Sequence, residues 1–342
     1  MKILLIRFSS IGDIVLTSPV IRCLKNKFPH AEIHFVTKPQ FKMLVEHNPA
    51  IHTVHTLDGD IQQLVLKLLP EKFDLVVDLH KNFRSRYISA LLRQAFNSQV
   101  QIIRFSKLNI RKWLLTTFKI NTLPDKSIVD RYFDGLKKIG VTNDGKGLDF
   151  FIPEEQEVTK DDIPMSHMLG YIAFSIGGQH ETKKMPVDKW IEICKQIDFP
   201  IMLLGGKEDA VNAALMCQHD PVKIYNACGK FSLLESAHLI KKARVVVTHD
   251  TGLMHIAAAF KKPIISIWGN TVPAFGMFPY YGSNNVHTHI APQLTIIEKK
   301  ISCRPCSKIG YKSCPKKHFN CMNQLSNDNL VQQIQRVIHE NK

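Results

Sequence analysis

The stretch Val245-Val-Val-Thr-His-Asp250-Thr-Gly-Leu-Met-His255-Ile-Ala-Ala-Ala decides the fold of the second half of this chain. Its opening apolar residues predict a buried strand, the polar residues up to Gly252 a sharp turn, and the small and apolar residues from Leu253 onward a helix. Asp250 is well suited to the N-cap position. The first N–H groups of a helix lack intrahelical partners and its dipole is positive there. The turn therefore predicts either an ordinary capped helix or an anion site that His255 also faces.

Three further loops of the second half follow predicted strands in the same way. They are Ser175–Lys184 with Gly177, Gly178 and Lys183, then Gly205-Gly-Lys-Glu208-Asp209, and Gly269-Asn-Thr271. Glycines let the backbone approach a phosphate closely, and a lysine neutralises it. Because parallel strands place their carboxyl ends at one sheet edge, four such loops together favour a ligand site.

The first half shows the same alternation from its first residues. Lys2-Ile-Leu-Leu-Ile-Arg7 predicts a strand, and Phe8-Ser-Ser-Ile-Gly12-Asp13 forms a loop before a helix. This loop is neither a dinucleotide fingerprint nor a P-loop. Asp13 is equally well interpreted as a general base at the ligand edge or as a helix cap. His80 and Arg84, after the fourth strand, either contact an acceptor at the same edge or serve in surface ion pairs.

The organisation of the chain predicts an α/β protein of two domains. At 342 residues the length suits about two domains. Strands alternating with helices of about ten residues imply βαβ units and doubly wound, mostly parallel sheets. A composition break rich in Gly, Asp, Glu and Pro lies at 142–166. We therefore predict an N-terminal domain over 1–160, a C-terminal domain over 161–325, and a final helical segment over 326–342.

Composition and charge indicate an anionic partner. The chain carries 45 Lys and Arg against 30 Asp and Glu, a formal charge of +15. The basic residues are dispersed, which suits a phosphate-rich substrate or a membrane surface better than a nucleic-acid groove. No secretory signal or membrane-spanning stretch is visible, and four of the eight cysteines are scattered singly. We expect a cytoplasmic enzyme, peripheral at the inner face of an anionic membrane, with no nucleic acid partner.

The other four cysteines form a cluster of nineteen residues, Cys303-x2-Cys306-x7-Cys314-x6-Cys321. Their spacing is compatible with a tetrahedral structural zinc site, with two disulfides, or with unligated thiols packing a loop. A cytoplasmic setting disfavours the disulfides. Because the cluster lies outside the four strand-end loops, we expect it to be structural, and we predict no metal in the active site.

Four motifs, in this order, resemble the heptosyltransferase family of lipopolysaccharide core synthesis (glycosyltransferase family 9), a lineage of GT-B glycosyltransferases. They are Arg7-Phe-Ser-Ser-Ile-Gly-Asp13, Thr182-Lys-Lys-Met-Pro186, Gly205-Gly-Lys-Glu208, and Asp250-Thr-Gly-x-x-His255-x-Ala-Ala. The resemblance extends over about residues 2 to 275. It implies two Rossmann-like domains facing across a cleft, with the last helix returning to the N-terminal domain.

The same resemblance implies an inverting transferase that needs no cofactor. Asp13 would deprotonate an acceptor hydroxyl of the lipid A–linked lipopolysaccharide inner core, which attacks the anomeric carbon of ADP-heptose. Lys183 would stabilise the departing ADP together with the helix start. The donor-binding residues implied are Gly177, Gly178, Thr182, Lys183, Glu208, Asp250, Thr251, Gly252 and His255, and the acceptor-binding residues are Ser9, Ser10, Gly12, His80 and Arg84.

Two departures from the family pattern leave the sugar nucleotide open. Ser175-Ile-Gly177 replaces a common His-Pro-Gly run, and Met185 replaces a common aromatic residue. The alternatives are a GT-B transferase for another nucleotide sugar and a non-catalytic nucleotide-sugar or glycan-binding protein. Nucleic-acid binding rests on charge alone.

Overall fold

The computed structural model describes residues 1–282 and 293–340, which fall into two compact units. The N-terminal unit comprises Met1–Lys107 and Lys126–Phe151, joined by a short segment that begins at Tyr280. The C-terminal unit comprises Leu108–Asp125, Ile152–Pro279 and the remainder of the chain. The division thus differs from the predicted boundaries at 160 and 325: segment 108–125 belongs to the C-terminal unit.

The N-terminal unit is built on a five-stranded parallel sheet in the order β3-β2-β1-β4-β5. The central strands β1 and β4 are largely aliphatic because helices cover both faces of a parallel sheet. The strands are β1 (Lys2–Ile6), β2 (Glu32–Thr37), β3 (Thr53–Thr56), β4 (Leu75–Asp78) and β5 (Gln101–Arg104). The helices in this half of the chain are α1 (Ile11–Val15), α2 (Ser18–Lys27), α3 (Ile61–Leu68), α4 (Phe83–Ala95), α5 (Asn109–Phe118) and α6 (Ile128–Leu136).

The C-terminal unit contains a six-stranded parallel sheet in the order β11-β10-β9-β6-β7-β8. Its strands are β6 (Ile172–Ser175), β7 (Ile201–Leu204), β8 (Ile224–Asn226), β9 (Val245–His249), β10 (Ile264–Trp268) and β11 (Leu294–Glu298). Its further helices are α7 (Val187–Lys195), α8 (Ala210–Cys217), α9 (Leu233–Lys242), α10 (Gly252–Ala259), α11 (Asn320–Asn323) and α12 (Asn327–Glu340). Both sheets have the predicted doubly wound, parallel character.

Local chemistry explains where two predicted helices change. The apolar spacing from Ile14 to Leu24 predicts one helix, which the structure divides because Pro19 lies in the first turn of a new helix, where its missing N–H costs nothing. The sequence of Phe41–His47 predicts an α-helix, and the structure instead forms a 3-10 helix over Pro39–Leu44. Neither change moves the strand ends that carry the predicted site.

The final helix, α12, buries its apolar face within the C-terminal unit. Leu330, Val331 and Ile334 join the core formed by strands β6, β9 and β10. The resemblance implied that this helix returns to the N-terminal domain. Its buried side chains instead pack in the core of the C-terminal unit. Within the described ranges, no helix has the length and apolarity needed to cross a bilayer.

Candidate active site

The N-terminal unit brings Arg7 and Asp13 together where its strand order reverses, between β1 and β4. Arg7 directly follows β1, is only 7% exposed and forms an ion pair with the Asp13 carboxylate. Its guanidinium also donates to the carbonyl oxygens of Leu79, after β4, and of Ser9. Open parallel sheets bind ligands outside this switch point. The arginine thus fixes a carboxylate at the ligand edge.

The Asp13 carboxylate caps a helix and keeps part of its surface exposed. Its Oδ2 accepts the Ser10 hydroxyl at 2.9 Å and the Ser10 N–H at 3.3 Å, so it caps the start of α1. The side chain remains 21% exposed and accessible to a substrate. Burial raises the pKa of the Asp13 carboxyl, but the Arg7 charge and the Ser10 hydrogen bonds outweigh burial and hold it below its usual value. The group is ionised at neutral pH and ready to accept a proton.

The remaining acceptor residues predicted from sequence differ in position. Ser9, Ser10 and Gly12 border Asp13, and the His80 ring packs on Phe8 with 4.8 Å between ring centroids. Burial, with the nearby Arg7 charge, lowers the pKa of His80 to about 3, so this imidazole is neutral. Arg84 lies exposed in the first turn of α4.

Sequence reasoning missed the role of Asp78, which is fully buried at the end of β4. Its carboxylate accepts the His80 and Lys81 N–H groups at 3.1 and 2.6 Å and the Ser85 hydroxyl at 3.0 Å. It therefore shapes the loop that carries His80. An aspartate ending a strand before an Asn-capped helix is the signal that could have revealed it.

The C-terminal unit has a corresponding centre at its own switch point, between β6 and β9. The Lys183 ammonium donates to Asp250 Oδ2 at 2.6 Å, and the Thr271 hydroxyl donates to the same oxygen at 2.9 Å. The prediction of Asp250 as N-cap is wrong: Thr251 occupies that position, and α10 begins at Gly252. Because Lys183 recruits the carboxylate, Asp250 holds a cation beside the helix start.

Glycines and a buried aspartate form the floor of this centre. A Cβ on Gly177 would lie 2.4 Å from Asp209 Oδ2, so only glycine fits there. Asp209, which is 2% exposed, accepts the Gly206 N–H at 3.0 Å and Lys184 at 3.3 Å. It ties together the loops after β6 and β7, a role that sequence reasoning missed. Gly178 is close to Thr251, while Glu208 is exposed.

Two predicted donor residues are enclosed in the protein. Thr182 is 2% exposed, and its hydroxyl accepts the Tyr311 N–H at 2.8 Å. His255, also 2% exposed, lies on the buried side of α10. The neighbouring His249 accepts the Met185 N–H at 2.9 Å, and burial lowers its pKa to about 4. Thr182 and His255 thus support the loops and helix of this centre from within.

A segment that we call the cysteine loop, residues 299–319, braces the same centre. Arg304 donates to the carbonyl oxygens of Gly269 and Thr271 and to Glu298 at 2.9 Å. Tyr311 binds Thr182, as described above. The loop carries no regular helix or strand of its own. No local pattern in the sequence indicates this brace, since Gly269, Thr271 and Thr182 lie more than thirty residues from the loop residues that bind them.

The four thiols of the cluster lie in and just after the cysteine loop, all as free cysteines. The Cys303 sulfur is 3.9 Å from His318 Nε2. Burial raises the pKa of Cys321 to about 11, and the neighbouring Cys306, Cys314 and Cys303 contribute in the same direction.

Over the described ranges, three ligand atoms within 4.8 Å of one another occur at His34, His55 and Glu71. There, His34 Nδ1 is 2.9 Å from His55 Nε2, and the Lys2 ammonium already binds Glu71 at 2.7 Å. This group belongs to the N-terminal unit and is not part of either switch point.

Comparison with known proteins identifies the family of this chain. Residues 61–316 match glycosyltransferase family 9 (heptosyltransferase), so the chain belongs to that family and is a glycosyltransferase of the GT-B fold. The family and fold class predicted from the four motifs are therefore confirmed.

Individual relatives are distant in sequence but similar in fold. Lipooligosaccharide heptosyltransferase 2 of Haemophilus ducreyi is 26% identical over 302 residues, covering 80% of this chain and 85% of that protein. A family 9 glycosyl transferase from Veillonella parvula superimposes with a TM-score of 0.77 at 20% identity, covering 99% of this chain and 97% of that one. The structure of E. coli heptosyltransferase WaaC with ADP superimposes with a TM-score of 0.68 at 19% identity, covering 98% of this chain and 100% of that one.

Proposed function

We propose that this glycosyltransferase transfers a heptose from ADP-heptose to a lipid A–linked inner-core acceptor of lipopolysaccharide, with inversion at the anomeric carbon. The observation that carries the proposal is the Lys183–Asp250 pair beside the start of α10. In the same centre, no side chain fits at Gly177. A cation, exposed helix N–H groups and close backbone approach suit a diphosphate leaving group. The names of relatives that act as heptosyltransferases, or were solved with ADP, support this donor.

In the proposed reaction, Asp13 accepts the proton of the acceptor hydroxyl while the hydroxyl oxygen bonds to the anomeric carbon. The bond from that carbon to the diphosphate breaks on the opposite face, and the electron pair leaves with ADP. Lys183 neutralises the charge that develops there, and the N–H groups at Gly252 add their partial positive charge. Arg7 keeps Asp13 ionised before the proton arrives.

The remaining predicted residues receive supporting roles in this proposal. Gly177, Gly178 and Thr251 border the phosphates, and Glu208 contacts the nucleoside. Thr182 and His255 hold this site from behind. Ser9, Ser10, Gly12, His80 and Arg84 contact the acceptor on the N-terminal unit. The enzyme is proposed to act in the cytoplasm, peripheral at an anionic inner membrane that presents the lipid-linked acceptor, without nucleic acid.

The donor is tested by nucleotide-dependent stabilisation. A ligand that binds only the native state raises Tm by mass action. We expect ADP to raise Tm more than AMP, and both more than UDP, in differential scanning fluorimetry. ADP-heptose should then be the substrate consumed in the presence of acceptor. A larger shift with UDP, or consumption of a UDP-sugar in its place, would assign the chain to another nucleotide sugar.

For the cysteine cluster we propose one structural Zn²⁺ bound by Cys303, Cys306, Cys314 and Cys321. The support is four free thiols within nineteen residues, in and just after the cysteine loop. A zinc ion bound by four thiolates holds its sulfurs about 3.8 Å apart. Among the described residues, no three of these sulfurs lie within 4.8 Å of one another, so the loop must tighten around the ion. No step of the transfer passes through this metal.

Metal content provides the test of the zinc site. We expect one zinc per chain by elemental analysis of purified protein, and none in a Cys306→Ser/Cys321→Ser variant. Because the cysteine loop braces Thr182 and Gly269, ADP should also stabilise that variant less. Cys217→Ser, which changes a partly exposed thiol on α8, is the matched control and should keep both metal and ADP response. Protein without stoichiometric zinc, or with iron in its place, contradicts the proposal.

A further inference from the structure

Helix α5 presents its apolar side chains to solvent. Ile110, Trp113 and Phe118 are 76%, 49% and 56% exposed, and Ile120 just beyond the helix is 53% exposed. We call these four residues the α5 patch. Within α5 only Leu115 is buried. A surface helix normally buries its apolar stripe, and a contiguous exposed apolar set marks an interaction site.

The α5 patch lies in a basic segment of the C-terminal unit. Residues 108–124 contain three Lys and Arg residues and no Asp or Glu. The first turn of α5 has no acidic residue and contains the exposed Arg111, although the helix dipole favours anions at that end. The local charge is therefore one that an external anion would complement.

Helix α5 is held firmly on the C-terminal unit by its polar side. The Lys119 ammonium donates to the Pro305 and Thr116 carbonyl oxygens at 2.8 and 2.7 Å. The Lys112 ammonium lies 5.7 Å from the centre of the Phe275 ring. Because these lysines face the protein, the apolar side chains are directed away from it.

The kind of apolar residue distinguishes a bilayer from nucleic acid. Trp113 and Phe118 pack edge to face, with centroids 5.2 Å apart and planes at 85°, so they form one wedge and not a series of parallel stacking platforms. Isoleucines have no face on which a base can stack. Aromatic and aliphatic side chains framed by basic residues are typical of helices that lie in the interface of anionic membranes.

We propose that the α5 patch docks on the surface of a bilayer containing anionic phospholipids, with its apolar side chains entering the headgroup boundary and the exposed Arg111 meeting a lipid phosphate. The N-terminal unit carries a second set of the same chemistry: Phe83, 82% exposed, stacks on Tyr87 beside Arg84 and Arg86. The proposal deepens the membrane setting of the proposed function, but depends on neither donor nor acceptor.

Tryptophan fluorescence tests the docking directly. Trp190 and Trp268 are each 1% exposed, so Trp113 is the tryptophan whose emission can respond to a new surface. Adding vesicles of phosphatidylethanolamine and phosphatidylglycerol (7:3) to the full-length protein should shift emission to shorter wavelength and sediment the protein. Phosphatidylcholine vesicles should do neither. An Ile110→Ser/Trp113→Ser/Phe118→Ser variant should show a partition coefficient at least tenfold lower.

Matched variants separate docking from folding and from catalysis. Val211→Ser/Leu215→Ser removes two exposed apolar residues from α8 of the same unit and should sediment like the parent. The triple variant should keep the ADP-induced rise in Tm, so a failure of docking is distinguishable from a failure of the proposed function. Equal vesicle binding by parent and triple variant overturns the proposal. So does an emission shift with single-stranded RNA and none with vesicles, which would indicate a nucleic-acid surface.

Discussion

Replacing Asp13 with Asn is expected to lower kcat for heptose transfer by about 10²–10⁴-fold, the contribution of a positioned general base. This corresponds to about 3 to 5 kcal/mol of transition-state stabilisation. The carboxamide keeps the shape of the carboxylate and can still accept from Ser10, but it cannot take the acceptor proton. Steady-state kinetics with saturating donor and acceptor measures the loss.

The control for this variant is Asp60→Asn, which changes another helix-capping carboxylate of the N-terminal unit. It should retain nearly full kcat, since Asn caps a helix about as well as Asp. The Asp13 variant should still be stabilised by ADP, because donor binding is assigned to the other unit. A kcat within tenfold of the parent would show that Asp13 is a cap and not the base.

The pH dependence follows from the lowered pKa of Asp13. Because that pKa lies below the ordinary 3.8, the carboxylate stays ionised as pH falls from 7 to 5. We expect the base to impose no loss of kcat/KM in this range, with its acid limb below pH 3.8. His80, with a pKa of about 3, would not titrate there either. An inflection near pH 6 would identify a different base.

Replacing Lys183 with Met is expected to lower kcat/KM for the donor by about 10²–10³-fold, the usual cost of losing one preorganised group at developing charge. The ammonium is held 2.6 Å from Asp250 and, in the proposed reaction, neutralises the departing diphosphate. Without it, Asp250 would face that anion uncompensated. The rate of ADP formation at saturating acceptor and limiting donor concentration measures the change in kcat/KM.

Nucleotide length shows whether the lysine meets the diphosphate. If Lys183 neutralises the β-phosphate, the difference in stabilisation between ADP and AMP should nearly disappear in the Met variant. Lys195→Met on α7 removes an exposed lysine paired with Glu192 and should keep that difference. An undiminished preference for ADP in Lys183→Met would assign the lysine a purely structural role.

The sequence predicted the strand ends well because local patterns determine them. An aliphatic run followed by a polar, Gly-containing turn identified the loops carrying Asp13 and Lys183, and the alternation of elements gave both parallel sheets. Parallel strands place their carboxyl ends at one edge of a sheet. The expectation that the ligand loops share one edge therefore needed no tertiary information.

The sequence could not reveal which side chains the loops use for their own support. Asp250 has the ideal residue type for an N-cap, yet a distant lysine competes for its carboxylate with greater electrostatic gain. Thr182 belongs to a motif predicted to bind the donor, yet its hydroxyl accepts a hydrogen bond from the Tyr311 N–H. Segment 108–125 lies early in the chain but contacts the C-terminal unit, because packing depends on surface and not on sequence position.

The bond between Thr182 and Tyr311 joins residues 129 positions apart and has a consequence for biosynthesis. Loops after β6 and β10 are synthesised well before the segment that braces them. A nascent chain on the ribosome can therefore form both sheets before the loops of the Lys183–Asp250 centre have gained this support. The centre is completed only after Tyr311 has emerged, when nearly the whole chain has been made.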